Sequence, residues 1–175
     1  MHLPWCLRGE FGPEEFAKMN EQALQLEAIR QELDDLGSAV GSLYDYLDRG
    51  HPNEREEREA LARIAEYEQA AAESRAQLSK LLARLRIAAP DAVEEWVRWH
   101  IGFCERVIAE TAGAGPNPGG YVSDAQVSNY VARETLAEWQ KVLAGTEDYV
   151  RINSYFLWDY RKEVVAAVEG WRAKS

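Results

Sequence analysis

The chain has 175 residues, 46% of them hydrophobic, and a formal net charge of −10. That length suits one domain or a hairpin attached to a small bundle, and the apolar content supports a true core, which excludes wholesale disorder. Basic and acidic residues number 11 and 17 over residues 1–89 and 9 and 13 over residues 90–175, so neither half carries the basic footprint of a duplex-binding protein.

Residues 1–12 read as an irregular segment. Pro13 followed by Glu14 and Glu15 suits the first turn of a helix, where proline is harmless and carboxylates favour the positive end of the dipole. The pattern predicts a helix over 13–48. Its register runs Met19, Gln22, Leu26, Ile29, Leu33, Leu36, Val40, Leu43, Leu47, a 3-4-3-4 spacing. Gly37 and Gly41 each cost about 1 kcal/mol in helix propensity, which makes residue 37 the weak point. The register continues beyond it without a slip and favours one helix in which small residues permit close packing.

Arg49-Gly50-His51-Pro52-Asn53 reads as a turn. The second helix opens at Asn53 with Glu56 as its capping-box partner. Its stripe is Leu61, Ile64, Glu68, Ala71, Arg75, Leu78, Leu82, Leu85. Glu68 and Arg75 interrupt it and leave open a seam rotated toward Tyr67 and Leu81. Glu54 with Arg58, and Glu59 with Arg63, have the i,i+4 orientation of helix-surface ion pairs. The two arms together predict an antiparallel coiled-coil hairpin over 13–88.

Ala89-Pro90-Asp91 marks a boundary, because proline disfavours helix immediately before it. A third helix over 90–112 presents Val93, Val97, His100, Ile101, Cys104, Val107 and Ile108 on one face. The glycine- and proline-rich stretch 112–120 is a loop; it lacks the Gly-Lys-Ser/Thr ending of a phosphate-binding loop. Ser123 with Gln126 restarts a helix by a capping box, Gly145 ends it, and Thr146 caps a last helix bearing Ile152, Phe156, Tyr160, Val164, Val168 and Trp171. Of the 18 aromatic residues, 12 follow residue 90, so this half packs through large faces where the first half uses narrow leucine seams. The expected fold is all-α: a long hairpin plus a three-helix aromatic-rich unit over 90–175, about five helices in a bundle-like arrangement.

His100 and Cys104, four apart on one helical face, have the spacing of a metal or Cys–His pair, but they sit at the centre of an apolar stripe with no second ligand nearby. Their expected role is structural. Glu-x-x-His pairs of carboxylate-bridged metal bundles are missing from the sequence, so no metal and no cofactor is expected. On the last helix Arg151, Tyr155, Trp158 and Lys162 follow i, i+4, i+7, i+11, away from the Ile152–Trp171 stripe. That composition is typical of protein-binding hot spots. Trp96, Trp99, Trp139 and Phe156 are possible walls of an aromatic pocket.

No nucleophile–base–orienter set assembles from these residues, so an enzyme is not expected. The first expectation is a non-catalytic protein–protein interaction module, acting as an adaptor, inhibitor or immunity-type protein on another protein, with a homodimer through the hairpin as a further contact. A small-molecule-binding helical bundle is the second. The third is an acidic mimic of nucleic acid that inhibits a nucleic-acid enzyme, without itself binding nucleic acid. No apolar run reaches membrane-spanning length. Met1-His2-Leu3-Pro4-Trp5-Cys6 has no secretory pattern, and Cys6 and Cys104 read as unpaired thiols, so a cytoplasmic location is expected.

Overall fold

A computed structural model of the chain describes residues 19–145, 166–170 and 173–174. The fold is all-α and bundle-like, with no strand among the described residues. Four helices follow one another: α1 (Glu21–Arg49), α2 (Glu54–Ala88), α3 (Pro90–Glu110) and α4 (Asp124–Ala144). Residues 166–170 are again helical.

α1 starts at Glu21 and not near Pro13, for a local reason. Asn20 has a non-helical ψ of 142°, and its side-chain oxygen accepts the Gln22 N–H at 2.9 Å. It therefore caps the helix that begins at Glu21. The segment 1–12 and the first turn expected at residue 13 lie outside the described residues. From Glu21 the helix is unbroken through Gly37 and Gly41, both buried, to Arg49. Leu26, Leu33 and Val40 are fully buried, and Ile29, Leu36, Leu43 and Leu47 pack partly against them.

Gly50–Asn53 reverses the chain, and α1 and α2 pack along one another as a hairpin. The α2 capping box forms as expected. Asn53 Oδ1 accepts the N–H groups of Arg55 and Glu56, each at 3.0 Å, and Glu56 Oε2 accepts the Asn53 N–H at 3.0 Å. The α2 seam is rotated from the expected one at its first turn. Ala60 is buried and Leu61 is 47% exposed. The buried line is Ala60, Ile64, Ala71, Ser74, Leu78, Leu82, Leu85, with Tyr67 and Leu81 packed partly against it. This restores an uninterrupted 3-4 spacing in which Ser74 replaces Arg75 and Tyr67 replaces Glu68. The surface pair also differs: Glu59 takes Arg55, at 2.8 Å, in place of Arg63.

A single residue, Ala89, links α2 to α3, and Pro90 occupies the first helical position. Ser123 Oγ accepts the Gln126 N–H at 3.2 Å, Gln126 Oε1 accepts the Ser123 N–H at 3.0 Å, and this capping box opens α4. Gly145, with φ 75°, ends it in the left-handed conformation that favours glycine. The helix ends are tied across the bundle. Asn129 Nδ2 of α4 donates to Ile108 O at the end of α3. Arg86 Nη2 of α2 donates to Val142 O at the end of α4, at 2.9 Å, a cation placed where the helix dipole favours one.

α3 packs on both hairpin arms and most extensively on α4. One hydrophobic core runs through all four helices: Leu26 and Leu33, Leu78 and Leu82, Trp96 and Val97, Trp139 and Val142. The hairpin and the aromatic-rich helices thus share a core. A smaller cluster joins Val127 and Val131 to Val168. No described helix is long and apolar enough to cross a membrane.

Candidate functional site

α1 buries a second stripe beside its leucine seam: Ala23, Glu27, Arg30, Asp34, Gly37 and Gly41. The spacing is again 4-3-4-3-4, but the residues are small or charged. Glu27 is 2%, Arg30 6% and Asp34 8% exposed, so three ionisable groups lie inside the bundle on consecutive turns.

At Glu27 this stripe meets α3. Glu27 Oε2 accepts the Trp96 indole N–H at 2.8 Å and lies 2.6 Å from His100 Nε2. Its Oε1 accepts Arg30 Nε at 2.8 Å and Arg30 Nη2 at 2.6 Å. Arg30 Nη1 then donates to Asp34 Oδ2 at 2.6 Å. A carboxylate offers about four lone-pair directions, and four N–H groups converge on Glu27. The carboxylate is saturated, which fits a binding or structural role better than that of a base.

The histidine is boxed by indoles. Its ring stacks on Trp139 with centroids 4.2 Å apart and planes 4° from parallel. Trp96 and Trp99 meet it edge-on, at 5.7 and 4.8 Å. Trp96 and Trp139 in turn make a T-shaped pair at 4.9 Å, a geometry that the ring quadrupoles favour.

The electrostatics follow from burial and these contacts. Burial pushes the His100 imidazole down to about 4; the adjacent Glu27 carboxylate opposes the shift and Arg30 adds to it. At neutral pH His100 is therefore uncharged and donates to Glu27 through Nε2–H. Burial alone would raise Glu27, but His100 and Arg30 outweigh it and hold this carboxyl well below the usual range. Burial, with Glu105 adding to it, pushes the Cys104 thiol up to about 12, so this cysteine stays protonated and is a poor nucleophile.

Of the residues singled out by sequence, Trp96, Trp99 and Trp139 do come together, around His100. Trp96 and Trp139 are 0% and 1% exposed, so protein already covers these proposed walls. Phe156, and all of Arg151, Tyr155, Trp158 and Lys162, lie outside the described residues. Sequence reasoning missed Glu27, Arg30 and Asp34. Their signal was present in the small residues at the same heptad phase, Ala23, Gly37 and Gly41, which mark a second face of close approach. Among the described residues no group of three or more His, Cys, Asp and Glu is placed to hold a metal ion. The chain matches no family model, no curated protein and no solved structure.

Proposed function

We propose that the chain is a non-catalytic protein–protein interaction module, an adaptor, inhibitor or immunity-type protein. The observation that carries this reading is the division of its polar groups. Those with the strongest chemical potential, Glu27, His100 and Cys104, are spent in the core at 2%, 6% and 2% exposure. Arg30 and Asp34 are buried beside them, and the charge left outside the core is uneven: α1 keeps five acidic residues and one basic, whereas α2 carries seven of each. Glu21, Glu32, Asp35 and Asp48 of α1 are exposed. A rigid acidic helix on a long hairpin suits recognition of another protein, with electrostatics setting encounter and partner choice.

The specific contact is assigned to Arg151, Tyr155, Trp158 and Lys162, on composition. The test is capture of partners from the native host by the whole chain, in parallel with Trp158→Ala. The expected result is a partner retained by the wild type and lost by the variant at unchanged helicity. Equal affinity of the two proteins for every partner would remove the patch. A second copy of the chain through the hairpin is read out by light scattering of the same samples.

A second reading, small-molecule binding, rests on Trp99, the half-buried indole beside His100, since Trp96 and Trp139 are already covered by protein. Quenching of tryptophan fluorescence, or a thermal shift, with one member of a metabolite panel would support it. A flat response across the panel counts against it.

A further inference from the structure

We propose that the docking of α3 on α1 is proton-sensitive: mild acid opens the α3–α4 pair from the hairpin before the hairpin itself unfolds. The geometry gives the latch. At Glu27 α1 and α3 exchange buried polar contacts, through Trp96 Nε1 and His100 Nε2. His100 is buried at this junction, closed in by Trp96 and Trp99 from its own helix and Trp139 from α4. The charges acting on it, Glu27 and Arg30, both come from α1, and Arg30 is shared with Asp34 of the same helix. From α2 the core receives Leu78 and Leu82, and the next polar group along α3 is the protonated Cys104 thiol.

Charging the imidazole inside this box costs desolvation of a cation among three indoles, and the Glu27 carboxylate that would offset this cost is already engaged by two Arg30 N–H groups. Any state in which α3 lifts off α1 returns His100 to solvent and to its ordinary affinity for protons. Acid therefore favours the lifted state by linkage, by up to about tenfold per pH unit across the window between the two affinities. The hairpin keeps an interface of its own in Leu26, Leu33 and Val40 against Ile64, Ala71, Leu78 and Leu82, and this interface contains no histidine. Opening should therefore be confined to α3 and α4, as a sub-global unit.

Native-state hydrogen exchange on the whole chain between pH 7 and pH 4.5, corrected for intrinsic rates, tests this. The expected result is that protection of α3 amides relative to α1–α2 amides falls with pH, approaching tenfold per unit. His100→Phe should abolish that fall, and His100→Gln serves the same purpose if the phenylalanine variant does not fold. Parallel loss of protection in hairpin and α3, or an unchanged slope in a His100 variant, overturns the proposal. So does titration of His100 near 6.5 in the native protein, followed by its ring NMR signals, which remains decisive if neither variant folds.

Discussion

The indole N–H of Trp96 donates to Glu27 Oε2 at 2.8 Å, joining residues 69 positions apart in the sequence. It is a neutral donor serving a buried carboxylate, and hydrogen bonds to charged groups contribute about 1.5–3 kcal/mol. Trp96→Phe removes the donor while keeping an aromatic ring against Trp139. The expected loss of stability is in that range, measured as a shift in urea midpoint at unchanged helicity. A shift smaller than about 0.5 kcal/mol, the scale of a surface substitution, would mean that the bond has no net value.

Glu27→Ala is expected to cost more, about 3–5 kcal/mol, because breaking a buried charged network strands its partners. Arg30 Nε and Nη2 would lose the oxygen they share, and the N–H groups of Trp96 and His100 would lose their acceptor. Glu27→Gln keeps the shape but replaces two acceptor positions by donors facing N–H groups, so it should be nearly as damaging. Chemical denaturation of both variants checks the order.

The pH dependence has a definite sign. The unfolded His100 takes up a proton near 6.5, and the folded one only near 4. Stability from this residue is therefore complete above pH 6.5 and declines as pH falls toward 4, by about 3 kcal/mol in all at roughly 1.4 kcal/mol per unit. Glu27, whose folded affinity for protons is lowered, stabilises above its ordinary value of 4.5 and loses that contribution as acid protonates it. Both effects act in the same direction. Urea midpoints at pH 7.5, 5.5 and 4.5 should fall steadily, and His100→Gln should flatten the upper part of the curve.

Gly145→Ala is expected to destabilise by about 1–2 kcal/mol through the left-handed backbone alone. The added Cβ would also lie 2.8 Å from Arg86 Nη1, on a guanidinium held in place by the bond from its Nη2 to Val142 O. Thermal melts of this variant and of Arg86→Ala separate the two causes. If the backbone dominates, Gly145→Ala is destabilising even when Arg86 is absent.

Cys104 is 2% exposed and its thiol is held near 12. In the native protein it should resist a thiol reagent at pH 7.5 and react only as the chain opens. Mass spectrometry after brief labelling reads it out: modification at Cys104 within seconds would contradict the packing.

Much of the architecture was legible because it is written in local rules. The boxes at Asn53 and Ser123 and the glycine stop at Gly145 depend on a few neighbouring residues, and they form where the sequence places them. The continuity of α1 through Gly37 followed from a register that never slipped. The seam around Leu61 was misplaced because alanine and serine carry little apolar signal, although Ala60 and Ser74 are what fit between two close helices. Glu27, Arg30 and Asp34 were hidden for a stronger reason. A charged residue registers as surface until its partners are known, and two partners of Glu27, Trp96 and His100, lie on another helix. His100 was seen as buried, but the acceptor that keeps it there is 73 residues away.

The single-residue link at Ala89 gives the molecule a strict phase relation. An α-helix turns by about 100° per residue, and α3 begins immediately after the link. Adding or removing one residue between Pro90 and Trp96 would rotate Trp96 and His100 by that angle and carry both away from Glu27. Length variation is tolerable in the stretch 112–120, which joins α3 to α4 by a loop. Between Ala89 and Trp96, chain length is itself a coordinate of the core, fixed as firmly as the identity of any side chain in it.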